Sequence, residues 1–450
     1  MSPRAGEAAA AEAVAAFAAY EHRACEDLAR SASAIAPAVH SLLPEIADRF
    51  AAQLAAARAN GAFLTQMLEE LDLVQATEDS GADESALLHA VSALRSQATE
   101  PLTAKAVHEA LVSDPRWAAL PLSAVKRACS KAAKAARTCG GGPSADAEAP
   151  EDTQAAQSSV LGALLQLRRE WSEDGAAERQ QSYGPILDAL ARLVPVDRAP
   201  AGGPESAARV LVPGAGLGRL VYEAATRGYH ALGVEPSFFM LLPAHYVLHS
   251  LVPAGRSATI HPMVHELTNC RRAADSCRAV ELPGAGPSPA PPPPVRLVSS
   301  AFEVLAAEPR HASAWDAVLT AFVVDACPDV TEACEQARPC SRRVLGPPAR
   351  SLIPGSSPRA APLTHGDIDA LHAQVHQTLR TGGVWINQGP LLYHGQRGGP
   401  KLTADELLLL LERRNFKVEE HQFRPCVYCQ DESSMRRTEY DCLFFVARKV

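Results

Sequence analysis

The chain has 450 residues, 47% of them hydrophobic, enough for two or three domains with proper cores. A net charge of -8 argues against a global basic field for nucleic acid or acidic membranes, and 5% aromatic residues disfavour base-stacking platforms. No apolar run approaches bilayer length, the N-terminus shows no apolar leader core, and 11 scattered cysteines suit reduced thiols, so a cytoplasmic protein is expected, with the nucleus left open.

Residues 1 to about 75 are alanine-rich. Val14, Phe17, Ala18 and Cys25 fall near one helical face, and Leu42, Ile46, Phe50 and Leu54 continue the pattern around Pro44. Phe63-Leu64 and Met67-Leu68 carry a further helix. Two or three packed helices are predicted, docked on the rest of the chain in preference to forming a partner-binding bundle. Leu102 to Ala136 is helical in pattern again, and its Lys126, Arg127, Lys131, Lys134 and Arg137 make a basic face best read as solvated. Three successive glycines and then Pro143 mark a linker. The predicted division is a helical region over 1–138, a linker over 139–159 and a second domain over 160–450. In Leu161 to Pro195, Leu161, Leu164 and Leu165 bury one side, while Gln166 and Arg169, three apart, project together. Gly175 breaks the pattern. A second helix runs to Leu193, and this helical region is expected across the mouth of the site that follows.

That site is announced by Val210 to Leu241, VLVPGAGLGRLVYEAATRGYHALGVEPSFFML. The run Val210-Leu211-Val212 predicts a buried strand. Gly214, Gly216 and Gly218 then alternate through a turn, Leu217, Leu220, Val221 and Ala224 recur at helical spacing, and Ala231 to Val234 begins a second strand that stops on Glu235. Strand, glycine turn, helix, strand and acid make the first half of a nucleotide-binding α/β unit. Glycine lets the backbone approach a ligand where a Cβ would clash, free N–H groups of the helix face it, and the acid can accept both hydrogens of a ribose diol. Arg219 stands where a dinucleotide fingerprint has its third glycine. That favours S-adenosylmethionine, whose amino-acid tail fits over such a turn. A glycine-rich connection without a ligand is the plain alternative.

Further on, His245 and His249 lie four apart, as do His261 and His265, but Tyr246 replaces the glutamate of a zinc helix, so no metal is expected. Pro283 to Pro294 is a flexible proline-rich loop. Val295 to Val298 is a third strand, and Trp315 to Asp325 a fourth, ending on an acid at the carboxyl edge where open α/β sheets bind ligands. Residues 338–362 look like a flexible insertion. Ile368 to Leu379 predicts a helix, Val384 to Asn387 a strand, and Gly389 to His394 a loop holding an imidazole near the same edge. Thr403 and Glu406 form a capping box. Lys417 to Phe423 and Asp441 to Ala447 are the last strands. Cys426 and Cys429 make a lone CxxC, with His421 as one further ligand candidate, too few for a metal site. The predicted fold class is α/β, a doubly wound, mostly parallel seven-strand sheet. The final two strands, with no helix between them, pair antiparallel at its edge, which separates the methyltransferase version of this sheet from the dehydrogenase one.

With these motifs in hand, the sequence resembles the carnosine N-methyltransferases of the S-adenosylmethionine-dependent seven-strand class. The likeness covers most of 160–450 and rests on QLRREWSEDGAAER, VLVPGAGLGRLVYE, EPSFFMLL, NCRRAAD, GGVWINQGPLLYH, SSM and YDCLFFVARK. It implies that Gln166 and Arg169 hold the methionine portion of S-adenosylmethionine. It implies that Gly214 with its neighbour Gly216 and Glu235 serve as the turn and ribose contacts, and that Phe302 lies beside the adenine. Asp325, His394 and Tyr440 would hold the imidazole of the substrate, with Asp325 catalytic.

One departure stands out: the family usually has Gly-Asp-Phe where this chain has Ser300-Ala301-Phe302. An acceptor for the adenine amino group is then missing, unless Glu303 replaces it, and a charge-assisted hydrogen bond is worth about 1.5–3 kcal/mol. The resemblance implies methyl transfer to an imidazole nitrogen of carnosine, giving anserine, or of a related histidine-containing peptide. Two rivals remain: a methyltransferase-fold binding protein without catalysis, favoured by Ala301, and an NAD-linked oxidoreductase, disfavoured by Arg219. Expected partners are a small-molecule or short-peptide acceptor and, at most, a second copy of the chain in a homodimer.

Overall fold

The computed structural model describes residues 3–73, 105, 151–196, 207–266, 268–283, 295–325, 344–345, 368–393 and 401–450. The helical stretch expected over 102–136, with its basic face, lies outside the described residues apart from Lys105. So do 284–294 and His394.

The sheet is built first from Val210 to Glu235. Strand β1 (Arg209–Pro213) pairs parallel with β2 (His230–Glu235), and Leu211 sits opposite Leu232. Val210 and Val212 enter one core while Leu211 enters the other, as strand alternation requires when both faces are covered. After a two-stranded ribbon, β3 (Ala258–Ile260) and β4 (Val280–Leu282), come β5 (Arg296–Ser299), β6 (Trp315–Ala321), the short β7 (Val344–Leu345), β8 (Leu379–Gly389), β9 (Phe416–Val427) and β10 (Glu439–Lys449). The main sheet has eight strands in the order β7-β5-β2-β1-β6-β8-β10-β9. Strands β5, β2, β1, β6 and β8 are mutually parallel, and β10 inserts antiparallel between β8 and β9. This is the expected α/β doubly wound, mostly parallel sheet. Strand β7 is an eighth, antiparallel on β5, so the stretch read as a flexible insertion contributes a sheet edge at Val344 and Leu345.

Twelve helices are numbered here in chain order. The N-terminal ones are α1 (Pro3–Ala18), α2 (Tyr20–Ser33), α3 (Pro37–Leu42) and α4 (Ile46–Glu70). Next come α5 (Glu151–Trp171), α6 (Ala176–Ser182), α7 (Gly184–Leu193), α8 (Arg219–Thr226) and α9 (Phe238–Tyr246). On the opposite face lie α10 (Phe302–Ala306), α11 (Ile368–Thr378) and α12 (Ala404–Arg413), whose Leu305, Leu371, Val375, Leu407 and Leu411 share a core with Trp385 and Phe445. Thr403 and Glu406 form the expected capping box at α12.

The N-terminal helices do dock on the rest. Phe17 and Phe239 rings meet at 5.6 Å and Phe63 and Tyr246 at 5.9 Å. Buried Asn60 exchanges two hydrogen bonds with His261, its Nδ2 donating to the carbonyl at 2.9 Å and its Oδ1 accepting from the N–H at 2.7 Å. Among the described residues no helix is long and apolar enough to cross a membrane.

Four expectations are corrected. The linker drawn over 139–159 is helix from Glu151 onward, because Ala156 and Val160 already face the core; 139–150 lies outside the described residues. The second helix predicted to Leu193 is two, α6 and α7, divided at Tyr183 where Pro185 in the first turn of α7 has no N–H to continue the ladder. The strand predicted to reach Asp325 stops at Ala321. Phe322 takes φ +58, a left-handed backbone that leaves the ladder, and Val323 to Asp325 form a loop. Strand β9 runs past Phe423 to Val427, with alternating exposure along an edge strand.

Candidate active site at the carboxyl edge of the sheet

The glycine turn is the floor. Gly214, Gly216 and Gly218 all have positive φ, at +60, +53 and +79. A Cβ on Gly214 would lie 2.6 Å from Cγ2 of Val323, and one on Gly216 3.2 Å from Oε1 of Glu170. The turn is therefore pressed between the loop after β6 and the last turn of α5. Glu235, at the end of β2, accepts from the N–H groups of Gly216 and Ser237, both at 2.9 Å. Burial pushes its carboxyl up to about 7 against the pull of those two donors, with the nearby Glu170 charge adding to the rise.

Helix α5 supplies one wall. Its stripe Ala156, Val160, Ala163, Leu164 and Leu167 faces the core, and its terminal Trp171 donates from Nε1 to the carbonyl of Leu217 at 3.1 Å. That anchor sets the polar residues of the last turn against the glycine turn. Arg169, 6% exposed, donates from Nε to Glu178 at 2.5 Å and from Nη1 to Gln166 Oε1 and Tyr183, each at 3.4 Å. Its guanidinium lies over three rings, Phe322 at 5.1 Å, Tyr428 at 5.2 Å and Tyr183 at 5.5 Å. Its Nη2 is buried with no hydrogen-bond partner among the described residues. Arg219 lies over Trp171 at 5.1 Å and donates to the carbonyl of Glu170 at 3.1 Å, so it ties the turn to α5.

The roof is the loop after β9. Gln166 donates from Nε2 to the Tyr428 hydroxyl at 3.0 Å, and Glu178 accepts from the N–H groups of Cys429 at 3.1 Å and Gln430 at 3.3 Å. Tyr428 packs against Phe322 at 5.1 Å and, edge-on, against Tyr440 of β10 at 6.3 Å. Of the seven non-glycine residues with positive φ among the described residues, Phe322, Tyr393 and Cys429 lie on loops that converge here, the kind of strain that gathers at functional sites. Tyr428 and Cys429 also line a concavity together with Glu266 and Asp431.

Asp325, 4% exposed, accepts from the N–H of Leu392 at 2.8 Å, which docks the loop after β8 on the loop after β6. Val323, two residues earlier, is the side chain against Gly214. Strand β1 alone separates β2 from β6, so the ends that carry Glu235 and lead to Asp325 are about 10 Å apart on one edge. Phe302 begins α10 just past the end of β5, packed with Val234 and Val298, and Ser300 donates its N–H to the carbonyl of Glu235 at 3.3 Å.

The structure thus gathers Gln166, Arg169, Gly214, Gly216, Glu235, Asp325 and Tyr440 at one edge, with Phe302 on its β5 side. Sequence reasoning missed Glu170, Glu178, Tyr183, Phe322 and Tyr428. The QLRREWSEDGAAER stretch contained the two acids, but only contacts across the fold bring them to the turn. Two other stretches of the resemblance meet in space: the N–H of Met435 donates to the carbonyl of Asn269 at 2.7 Å. The histidine pairs have other work. His245 and His249 rings lie against each other at 4.4 Å, tilted by 51°, and His265 bonds Tyr20 at 2.9 Å. Among the described residues no group of three or more His, Cys, Asp or Glu is placed to hold a metal ion.

A sequence profile described as carnosine N-methyltransferase matches residues 147–340 and 370–450. The chain belongs to the carnosine N-methyltransferase family. The mouse carnosine N-methyltransferase is 30% identical over 292 residues, covering 64% of this chain and 62% of its own length. That of Dictyostelium discoideum is 30% identical over 291 residues, 63% of this chain and 53% of its own. This chain therefore spans less than two thirds of each of these relatives. Among solved structures, magnesium protoporphyrin IX methyltransferase from Synechocystis aligns with a TM-score of 0.30 at 12% identity, over 60% of this chain and 79% of its own.

Proposed function

We propose that this protein transfers a methyl group from S-adenosylmethionine to an imidazole ring nitrogen of carnosine, or of a related histidine-containing peptide, giving anserine or its analogue. The observation that carries this is the contact of Val323 with the Gly214 turn, which sets Asp325 on the edge that also ends in Glu235. The family membership supports the same reading.

The residues suit the cofactor. A buried guanidinium nitrogen lacks a partner among the described residues, a glycine turn leaves no Cβ in the way, and a carboxylate ends the second strand. Gln166 and Arg169 would hold the methionine portion, Gly214 and Gly216 would admit it, and Glu235 would take the ribose hydroxyls. S-adenosylmethionine supplies a methyl carbon already activated at a sulfonium, so the chain chiefly aligns the acceptor. Asp325 accepts the ring N–H, selects the tautomer with its lone pair on the attacking nitrogen, and stabilises the positive charge that develops on the ring. Tyr440 and His394 orient the ring and peptide. Phe322 and Tyr428 exclude water above Arg169. The direct test is incubation of the protein with labelled methyl donor and a panel of imidazole dipeptides, with the products identified by mass spectrometry; no methylated dipeptide would defeat the proposal.

Glu235 gives a pH signature. A carboxyl raised to about 7 stabilises the free protein at pH below 4.5, and that contribution is lost as pH rises through 7. The ionised carboxylate is the stronger acceptor and can take both ribose hydroxyls, so cofactor binding should favour it and release a proton. Affinity for S-adenosylhomocysteine should rise about tenfold from pH 6 to pH 8. Calorimetry at pH 6.5 in two buffers of different ionisation heat should show the proton, and Glu235→Gln should abolish the difference.

The Ala301 departure favours a second reading, a fold that binds but does not turn over. Ala301 is the N-cap of α10, where aspartate would both cap the helix and face the adenine amino group. Ala301→Asp should stabilise the protein by about 0.5–2 kcal/mol and tighten S-adenosylhomocysteine binding about tenfold. It should leave the inosine analogue, which lacks that amino group, unaffected. Equal gains for both ligands would remove the adenine contact from the account.

A further inference from the structure

Glu170 is the buried acid that the account so far leaves without a task. It is 4% exposed and lies next to Arg169 in the last turn of α5. Its two oxygens differ. Oε2 accepts the N–H of Arg219, the first residue of α8, at 3.3 Å, and so caps that helix from outside. Oε1 points at the glycine turn, 3.2 Å from where a Gly216 Cβ would be, and stands 3.7 Å from Nη1 of Arg169. A separation of 3.7 Å is too long for a direct hydrogen bond. Beside it, Nη2 of Arg169 is buried with no partner among the described residues.

A buried positive donor without an acceptor among the described residues thus sits on the residue next to a buried carboxylate, which the Tyr183 hydroxyl also hydrogen-bonds and whose Oε1 faces a turn that carries no Cβ at Gly216. Burial of such charges is stable only when opposite charge meets each of them. The group that completes both carries a carboxylate and an ammonium on one carbon. Pro213 precedes the turn, so strand β1 brings no acid of its own to the place.

We propose that Glu170 receives the α-ammonium of the amino-acid end of S-adenosylmethionine while Arg169, its neighbour, takes the carboxylate. The inference rests on the cofactor reading above and adds a residue to it. Two adjacent residues of one helix turn thus recognise the zwitterion as a unit. Glu170 serves two purposes with its two oxygens, helix cap and ammonium acceptor, and the experiment has to separate them.

Calorimetry on the full chain with S-adenosylhomocysteine and its deaminated analogue does so. Wild type should prefer the amine-bearing ligand by about 10- to 100-fold, the range of a charge-assisted hydrogen bond. Glu170→Gln keeps an amide oxygen for the Arg219 N–H, and its preference should collapse to about threefold or less. The deaminated ligand should bind the variant at least as well as wild type, since a buried negative charge no longer faces its carboxylate. A preference unchanged in the folded variant would overturn the proposal alone. No heat with either ligand would overturn the cofactor reading, and this with it. Should Glu170→Gln not fold, wild type decides: equal affinity for both ligands overturns the proposal, and a preference of tenfold or more that is lost in Glu170→Asp, whose carboxylate is withdrawn by one methylene, upholds it.

Discussion

Asp325→Asn is expected to lower kcat for imidazole methylation by about 10²- to 10³-fold, with the affinity for S-adenosylhomocysteine changed by less than about threefold. The substitution is nearly isosteric. The amide oxygen can still accept from the N–H of Leu392, as Oδ2 does at 2.8 Å, so the loop after β8 should stay docked and the melting temperature should hold. What is lost is charge. A neutral amide cannot stabilise the imidazolium as it develops, and its NH2 can donate to the ring nitrogen and select the wrong tautomer. The variant should also be insensitive to acceptor concentration as a remedy, since kcat rather than KM carries the defect. Steady-state kinetics with mass-spectrometric product detection reads this. Unchanged turnover would take Asp325 out of the mechanism; a raised KM with normal kcat would reduce it to a substrate-binding residue.

How far the sequence carried the account follows from the range of each signal. Strand, glycine turn, helix, strand and acid in Val210 to Glu235 are all local patterns, and the structure repeats them nearly residue for residue. The antiparallel finish was legible because no helical period separates Phe423 from Asp441. Its placement was not: β10 lies between β8 and β9, and register with Asn387 on one side and His421 on the other is a property of the assembled sheet. The run WDAVLTAFVVD looks like unbroken strand because Val323 and Val324 are apolar for packing reasons. Val324 is buried beneath the sheet and Val323 sits on Gly214, while the turn at Phe322 has no local signature. The early turns of α5 were hidden for the opposite reason, since EDTQAAQSSV is mostly polar and, among its described side chains, Ala156 and Val160 are the buried ones. Glu178 and Cys429, 251 residues apart, meet only through the fold. The resemblance named Arg169 without the rings and acids that surround it.

Those surroundings make Arg169→Met the most damaging substitution in prospect. The guanidinium neutralises Glu178 at 2.5 Å and Glu170 at 3.7 Å while three aromatic rings pack around it. Methionine fills much of the volume but leaves two buried carboxylates without their shared cation, and breaking such a pair costs about 3–5 kcal/mol. For a domain of this size that corresponds to a drop of about 6–20 °C in Tm. Lysine should not rescue it, because a single ammonium cannot serve Glu178 and the rings together. The loss has a pH sign. Burial already holds the Glu170 carboxyl above its ordinary range, and Arg169 opposes that rise. Without the arginine the raised value moves higher, and an acid raised on folding stabilises at low pH and loses that contribution as pH rises. The deficit of Arg169→Met in Tm should therefore be smaller at pH 5 than at pH 8. Adding Glu178→Gln should return part of the stability without returning cofactor binding, because the orphaned charge is removed while the donor for the methionine carboxylate is still missing. Thermal scans at the two pH values, with calorimetry against S-adenosylhomocysteine, distinguish this from simple loss of packing. A packing defect would be equal at both pH values and indifferent to Glu178.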